Sequence, residues 1–473
     1  MNTLQIYGYT VIAFFSIYLL VRCWRDSTNC VTPYHIFLLG IINFMGFGAL
    51  SAADRGGMGL YSVITDSAVI TLIFTTIALY GTMILVYHAT FRVSGRVAQS
   101  VKLNFEASPP LAIGMAVLAV VTSILPFLVP RVVFVSQMLV AIGTTTMIAC
   151  TVITLGLWIR SPLNALYALL AIGSVAFSAT ATAVGFGRSA QIAFMFSIGI
   201  VAYYQIFRNN NRVILLVGSL IFGALMLYIV TGLSLVRGQP LNLSSLSGFL
   251  SSGYLKISNA LSSADFSIAT QLLGGDTVDA ALSIFYLKES STFGERFHMV
   301  KWILANPIPR EIFPGAKPEG LAYILPRFVG REGGGFSIGC SFVGHAWYDG
   351  GYYVCVIYGA AAGLFLRVGD EVVRRYSNNT ILLGFFAAAS ANILMIVRGD
   401  SGLYILNVLM AAIIAFGVTK VLRTGLSLFG YNIDAVAYNP NPQLADPRYT
   451  DEYGEVLADG SYDDSREVSW NQR

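Results

Sequence analysis

Charge is scarce in this chain. Asp, Glu, Lys and Arg together make up 11% of its 473 residues, against ~25% in ordinary soluble domains. With 55% hydrophobic residues and a mean hydropathy of +0.67, that shortage excludes a soluble globular protein. Histidine and cysteine are also few. The four histidines lie far apart, and Cys23, Cys30, Cys150, Cys340 and Cys355 show no paired metal-ligand spacing, so there is no zinc or haem signature and no disulfide framework. An Asp-x-Asp pair suited to a divalent metal is missing too, and no cofactor or metal is expected. The net charge of +4 is small, the placement of the cations says more than their sum, and no nucleic-acid partner is expected.

What the chain has in abundance is long apolar runs. A run of roughly 18 residues crosses a ~30 Å hydrocarbon core as a helix. The runs lack the alternation of period two that a membrane barrel needs. Spans are expected at 4–22, 33–52, 66–87, 111–129, 132–158, 162–182, 189–206, 213–234, 347–366, 381–397 and 401–421. The fold class is therefore an all-α integral membrane protein with about eleven transmembrane helices and one large outer loop. Four parts follow: an N-terminal bundle of about eight spans (1–234), the loop (235–346), the C-terminal spans (347–423) and an acidic tail (424–473). The tail is too poor in apolar residues to offset its ordering entropy and reads as disordered.

Cations fix the expected orientation. Arg22 and Arg25, Arg92, Arg96 and Lys102, Arg160, Arg208 and Arg212, and Arg367, Arg374 and Arg375 all fall in loops on one side. The positive-inside rule makes that side cytoplasmic, with the N-terminus outside and the C-terminus inside. No basic segment precedes the first apolar run, so it reads as a retained span rather than a cleaved signal.

Loops as long as 235–346 are usually functional. Within it, "TFGERFHMVKWILAN" reads as an amphipathic helix. Thr292 and Glu295 form a capping box, Phe293, Phe297, Val300, Ile303 and Leu304 one stripe, and Glu295, Arg296, His298 and Lys301 the opposite face. Such a helix either lies on the membrane, roofs a cavity, or simply packs on the bundle. It is followed by "NPIPREIFPGAKP", whose four prolines hold Arg310 and Lys317 on a stiff frame.

The outer side collects cations that the orientation rule disfavours: Arg188, Arg237, Arg310, Lys317, Arg327, Arg331 and Arg398. Taken singly, Arg188 and Arg398 suit snorkelling to headgroup phosphates. Converging on one cavity, guanidinium groups suit a ligand carrying pyrophosphate, which they grip through paired hydrogen bonds. Asp400 stands two residues from Arg398 as an orienting or ion-pair partner. In "VGREGGGFSIGCSFVGHAWYDGG", His345 sits where the loop re-enters a span, close in sequence to Tyr348 and Asp349. Two readings stand for it: a general base or anchor for a sugar hydroxyl, or a histidine hydrogen-bonded to a helix end. Glu319, Glu332 and Asp349 are the carboxylate alternatives, and His298 is a weaker candidate than His345.

The ordered set "GFGR" (185–188), Arg237, "NPIPREIFPGAKP", a Gly-rich run into "GHAWYDGGYY" and "RGD" (398–400) resembles the O-antigen polymerase (Wzy-type oligosaccharide repeat unit polymerase) family over residues 183–400. His345 stands where that family's motif has an acidic residue, which leaves open the identity of the base. The resemblance implies a GT-C-like polytopic glycosyltransferase of the bacterial inner membrane, in lipopolysaccharide and polysaccharide biosynthesis. Its substrates would be an undecaprenyl-pyrophosphate-linked donor and acceptor among membrane lipids, with a chain-length regulator as a further partner. On this reading His345, Arg310 and Arg398 are catalytic. Arg188, Arg237, Lys317, Arg327 and Arg331 bind pyrophosphate, while Tyr348, Asp349 and Asp400 support them. An O-antigen ligase acting on a lipid A core, or a lipid-linked glycan transporter, are the alternatives.

Overall fold

The computed structural model describes residues 2–428 apart from 56–63, 101–107, 129–132, 185–187, isolated positions between 209 and 224, 226–250, 252–253, 256, 260–265, 291–293, 309–312, 314 and 331–337. Among the described residues there are helices and no strand. They run α1 (Thr3–Arg25), α2 (Pro33–Ala53), α3 (Asp66–Ala89), α4 (Phe91–Ser100), α5 (Pro109–Leu128), α6 (Val133–Arg160), α7 (Ala165–Val184), α8 (Arg188–Ala202), α9 (Phe266–Ser290), α10 (His298–Ala305), α11 (Leu321–Phe328), α12 (Phe342–Gly350), α13 (Tyr352–Arg375), α14 (Thr380–Met395) and α15 (Ser401–Leu428). Eight helices among the described residues are long and apolar enough to cross a membrane. Their outward faces carry large apolar side chains such as Ile17, Leu85 and Ile413, which suits hydrocarbon as solvent.

Local chemistry places the helix starts. The Asn2 side chain caps α1 in a reciprocal box with Gln5, and Thr32 caps α2 with Pro33 at its first position. Asn379 accepts from the backbone of Ile381 and Leu382 to start α14. These bonds satisfy amides that have no partner inside their helix.

The expected span at 347–366 is divided in the structure. Gly351 takes φ 68°, a left-handed conformation suited to glycine, and α12 ends there while α13 begins at Tyr352 and runs on to Arg375. The last span continues to Leu428, past the expected 421. Three helices went unanticipated: the short α4 and α11, and α9, which packs across α2, α3 and α12. The expected amphipathic helix is also shorter. Phe297 has φ 53°, so α10 begins only at His298 and its faces turn. His298, Met299, Trp302 and Ala305 are buried, whereas Phe297, Val300 and Leu304 of the expected apolar stripe are exposed. Thr292 and Phe293 lie outside the described residues.

Polar contacts gather at two ends. At one, Arg22 meets Tyr87, Arg208 donates to Thr28 O and Ser377, and Arg160 donates to Asn378 O. Thr32, the Tyr34 amide and Tyr87 all donate to the buried Asp370. The other end holds α9 to α12 and the turn at 398–400.

Candidate functional site

The turn Arg398-Gly399-Asp400 is joined to the start of α12 by backbone hydrogen bonds. Ser341 N donates to Arg398 O at 3.2 Å and Phe342 N to Val397 O at 3.3 Å. A Cβ on Gly339 would stand 2.8 Å from Arg398 O, so only glycine permits this approach. The Ser341 side chain caps α12 by accepting from Gly344 N at 2.9 Å. Sequence motifs that lie over fifty residues apart are thereby brought to one place.

His345 sits one turn into α12 and is 1% exposed. Neither ring nitrogen has a hydrogen-bond partner. Its Nδ1 lies 3.8 Å from Asp400 Oδ1, beyond hydrogen-bond length. A buried imidazole without partners costs stability. It makes no bond to a helix end, and the gap to Asp400 suits a bridging hydroxyl.

Asp349, one turn further along α12, is fully buried. Its Oδ2 accepts from Met299 N at 2.9 Å and from the Tyr358 hydroxyl, while Oδ1 has no partner. Burial pushes this carboxyl above its ordinary range, opposed by the hydrogen bonds from Tyr358 and the Met299 amide. Tyr348 is buried edge-on to His298, with ring centroids 5.5 Å apart. Burial raises its hydroxyl to about 12. Lys288 closes the C-terminal end of α12 by donating to the carbonyls of Trp347 and Tyr348.

His298 was expected on a polar outward face and is instead 2% exposed. Its Nδ1 meets Glu295 Oε2 at 2.8 Å and its Nε2 meets Glu319 O at 2.7 Å. Both contacts face acceptors, so the ring ties α10 to the stretch before α11. Hydrogen bonds from Lys301 and His298 hold the Glu295 carboxyl below its ordinary range.

Arg398 extends a single nitrogen, Nη2, to Asp276 of α9, at 3.3 Å from Oδ2 and 3.5 Å from Oδ1, and its guanidinium lies over the Phe44 ring. Asp279, one turn along α9, pairs with Arg55 at the end of α2. The structure thus gathers His345, Tyr348, Asp349, Arg398 and Asp400. Lys317 and Arg327 make other contacts. Lys317 Nζ donates to Asn306 O at 2.9 Å and Ile308 O at 2.8 Å, bracing the end of α10, and Arg327 pairs with Glu319 at 2.8 Å on the surface. Arg237, Arg310, Arg331 and Glu332, with the Arg188 side chain, lie outside the described residues.

Sequence reasoning passed over Asp276, Asp279, Arg55 and Lys288. The available signal was "GGDTVDAAL", two aspartates three apart inside an apolar stretch, where charge is costly without a partner. Gly320 was missed as well: a Cβ there would stand 2.7 Å from Asp400 Oδ2 and 3.4 Å from Trp302 Nε1. A scan of family models, a search of curated proteins and a search of solved structures each return no match to this chain.

Proposed function

We propose that this protein is a glycosyltransferase that polymerises lipid-linked oligosaccharide repeat units at the outer face of the bacterial inner membrane. The growing glycan passes from undecaprenyl pyrophosphate to a hydroxyl of an incoming lipid-linked unit. The observation that carries this reading is the union of the 398–400 turn with α12. It sets one guanidinium, one carboxylate and one imidazole without partners at a single end of an apolar bundle.

The chemistry requires the acceptor oxygen to bond to the anomeric carbon of the donor as the bond from that carbon to the phosphate oxygen breaks. Undecaprenyl pyrophosphate then departs as an anion. His345 takes the acceptor proton on a ring nitrogen, and Asp400 stabilises the imidazolium that forms. Arg398 faces the charge developing on the leaving pyrophosphate, with Arg188, Arg237, Arg310 and Arg331 as further contributors from the same side of the chain. The orientation places the Arg22 and Arg208 end in the cytoplasm and the 235–346 segment outside, with about eleven spans between.

Purified protein supplied with lipid-linked repeat units alone tests the reading. The expected product is a ladder of elongated glycans, lost in Arg398→Ala. Transfer only after a lipid A core acceptor is added would make the protein a ligase. An intact substrate pool after incubation with either acceptor would remove glycosyl transfer.

A further inference from the structure

Arginine–aspartate pairs on α9 come in two kinds. Asp279 is fully buried and closely paired with Arg55, as a structural ion pair between α9 and α2 should be. The pair one turn away is different. The side chains of Arg398 and Asp276 are 15% and 31% exposed, and their contacts are long, at 3.3 and 3.5 Å. Both contacts use Nη2. Among the described residues, no acceptor bonds Nε or Nη1, so Asp276 does not complete the pair of parallel bonds that a phosphate makes with Nε and Nη2. Asp276 therefore neutralises Arg398 without filling the geometry that its guanidinium favours.

We infer that Asp276 is a displaceable placeholder, a carboxylate that holds Arg398 in position before ligand binds and yields to the phosphate oxygens of the ligand. The inference rests on the pyrophosphate reading of this site and deepens it by naming the group that the ligand must displace. Three features support it. The Phe44 ring lies under the guanidinium and attracts it from one side. The backbone of Arg398 is fixed to α12 by the Ser341 amide, so only the side chain need move. A partly exposed carboxylate is cheap to release, because water solvates it when the pair opens. A dianionic or trianionic phosphate offers Arg398 more charge and a better-shaped acceptor than the single carboxylate it replaces.

A placeholder reduces apparent affinity, since the ligand binds only the fraction of molecules in which the arginine is free. Calorimetric titration of the purified full-length protein with inorganic pyrophosphate reads this directly. Asp276→Asn should bind pyrophosphate about two- to fivefold more tightly than wild type, the range expected for an exposed ion pair. Asp276→Glu, which retains the charge, should stay near the wild-type value, and the gain should vanish when Asp276→Asn is combined with Arg398→Ala.

Wild-type binding with no gain, or a loss, in Asp276→Asn would overturn the placeholder while leaving the site's ligand intact. An equal gain in the Arg398→Ala background would reduce the effect to general repulsion and overturn it as well. Absence of pyrophosphate binding by wild type and by both single variants of Asp276 would instead overturn the underlying reading of the site. A fall in the elongation rate of Asp276→Asn by a hundredfold or more, without tighter binding, would make this carboxylate the acceptor base and end its role as a placeholder.

Discussion

At the residue scale, His345 bears the conflict between stability and chemistry. Its ring is buried, neither nitrogen is paired, and the nearest carboxylate oxygen stands at 3.8 Å. Replacing a buried polar group that lacks partners by an apolar one of similar size is often neutral or stabilising. His345→Leu should therefore keep or raise the thermal midpoint in detergent while glycan elongation falls by ~10²-fold or more, the contribution typical of a positioned base. Loss of both together would assign the ring a packing role. His345, Tyr348, Asp349, Arg398 and Asp400 were legible as candidates because polar residues are conspicuous in so apolar a chain. Their mutual placement was not, since it depends on Gly339 admitting the backbone of Arg398. His298 shows the opposite error. Its polar neighbours in sequence suggested a solvated face, but the left-handed Phe297 turns it into the interior.

At the element scale, spans are made by length and apolarity, but their packing is made by small residues. Gly359 and Gly363 of α13 lie one turn apart, against the backbone of α3. A Cβ at Gly359 would come within 2.2 Å of Leu79 O, and one at Gly363 within 2.4 Å of Met83 O. Helices approach this closely in membranes where glycine or alanine lines the contact. The obstruction is backbone, which cannot rotate away, so Gly359→Val should destabilise by ~1–3 kcal/mol or more, read as a lower unfolding midpoint in detergent. Gly173→Ala is the control, since nothing lies within 4 Å of its added Cβ. A Gly359 variant as stable as that control would contradict the close packing. Helix α9 is the instructive miss among the elements. Its two aspartates, Lys288 and Glu289 keep it from reading as a span, and it packs against α2, α3 and α12, where the aspartates find arginines.

At the scale of the whole molecule, cations from distant loops share one end. Arg22, Arg160 and Arg208 reach Tyr87, Asn378 and Ser377 respectively, and Arg367 lies over Phe91. Cys23 and Cys30 stand at this same end, partly exposed, whereas Cys150, Cys340 and Cys355 are buried. A membrane-impermeant maleimide should therefore label the protein in inverted inner-membrane vesicles and not in intact spheroplasts, with both labels mapping to Cys23 and Cys30. Labelling only from the outside would reverse the proposed orientation.

The sequence by itself determined that the chain is helical and built for a membrane, and roughly where the runs lie, because hydrophobic length is a local property that each segment carries alone. It also determined which end collects cations, since loop charge depends only on order along the chain. The tertiary structure decided which charges meet. Pairs such as Arg55 with Asp279 and Arg398 with Asp276 join residues over a hundred positions apart, and which charges meet depends on how the helices that carry them pack. It likewise decided that the 398–400 turn seats on the first turn of α12, because that contact turns on the space left by one missing Cβ.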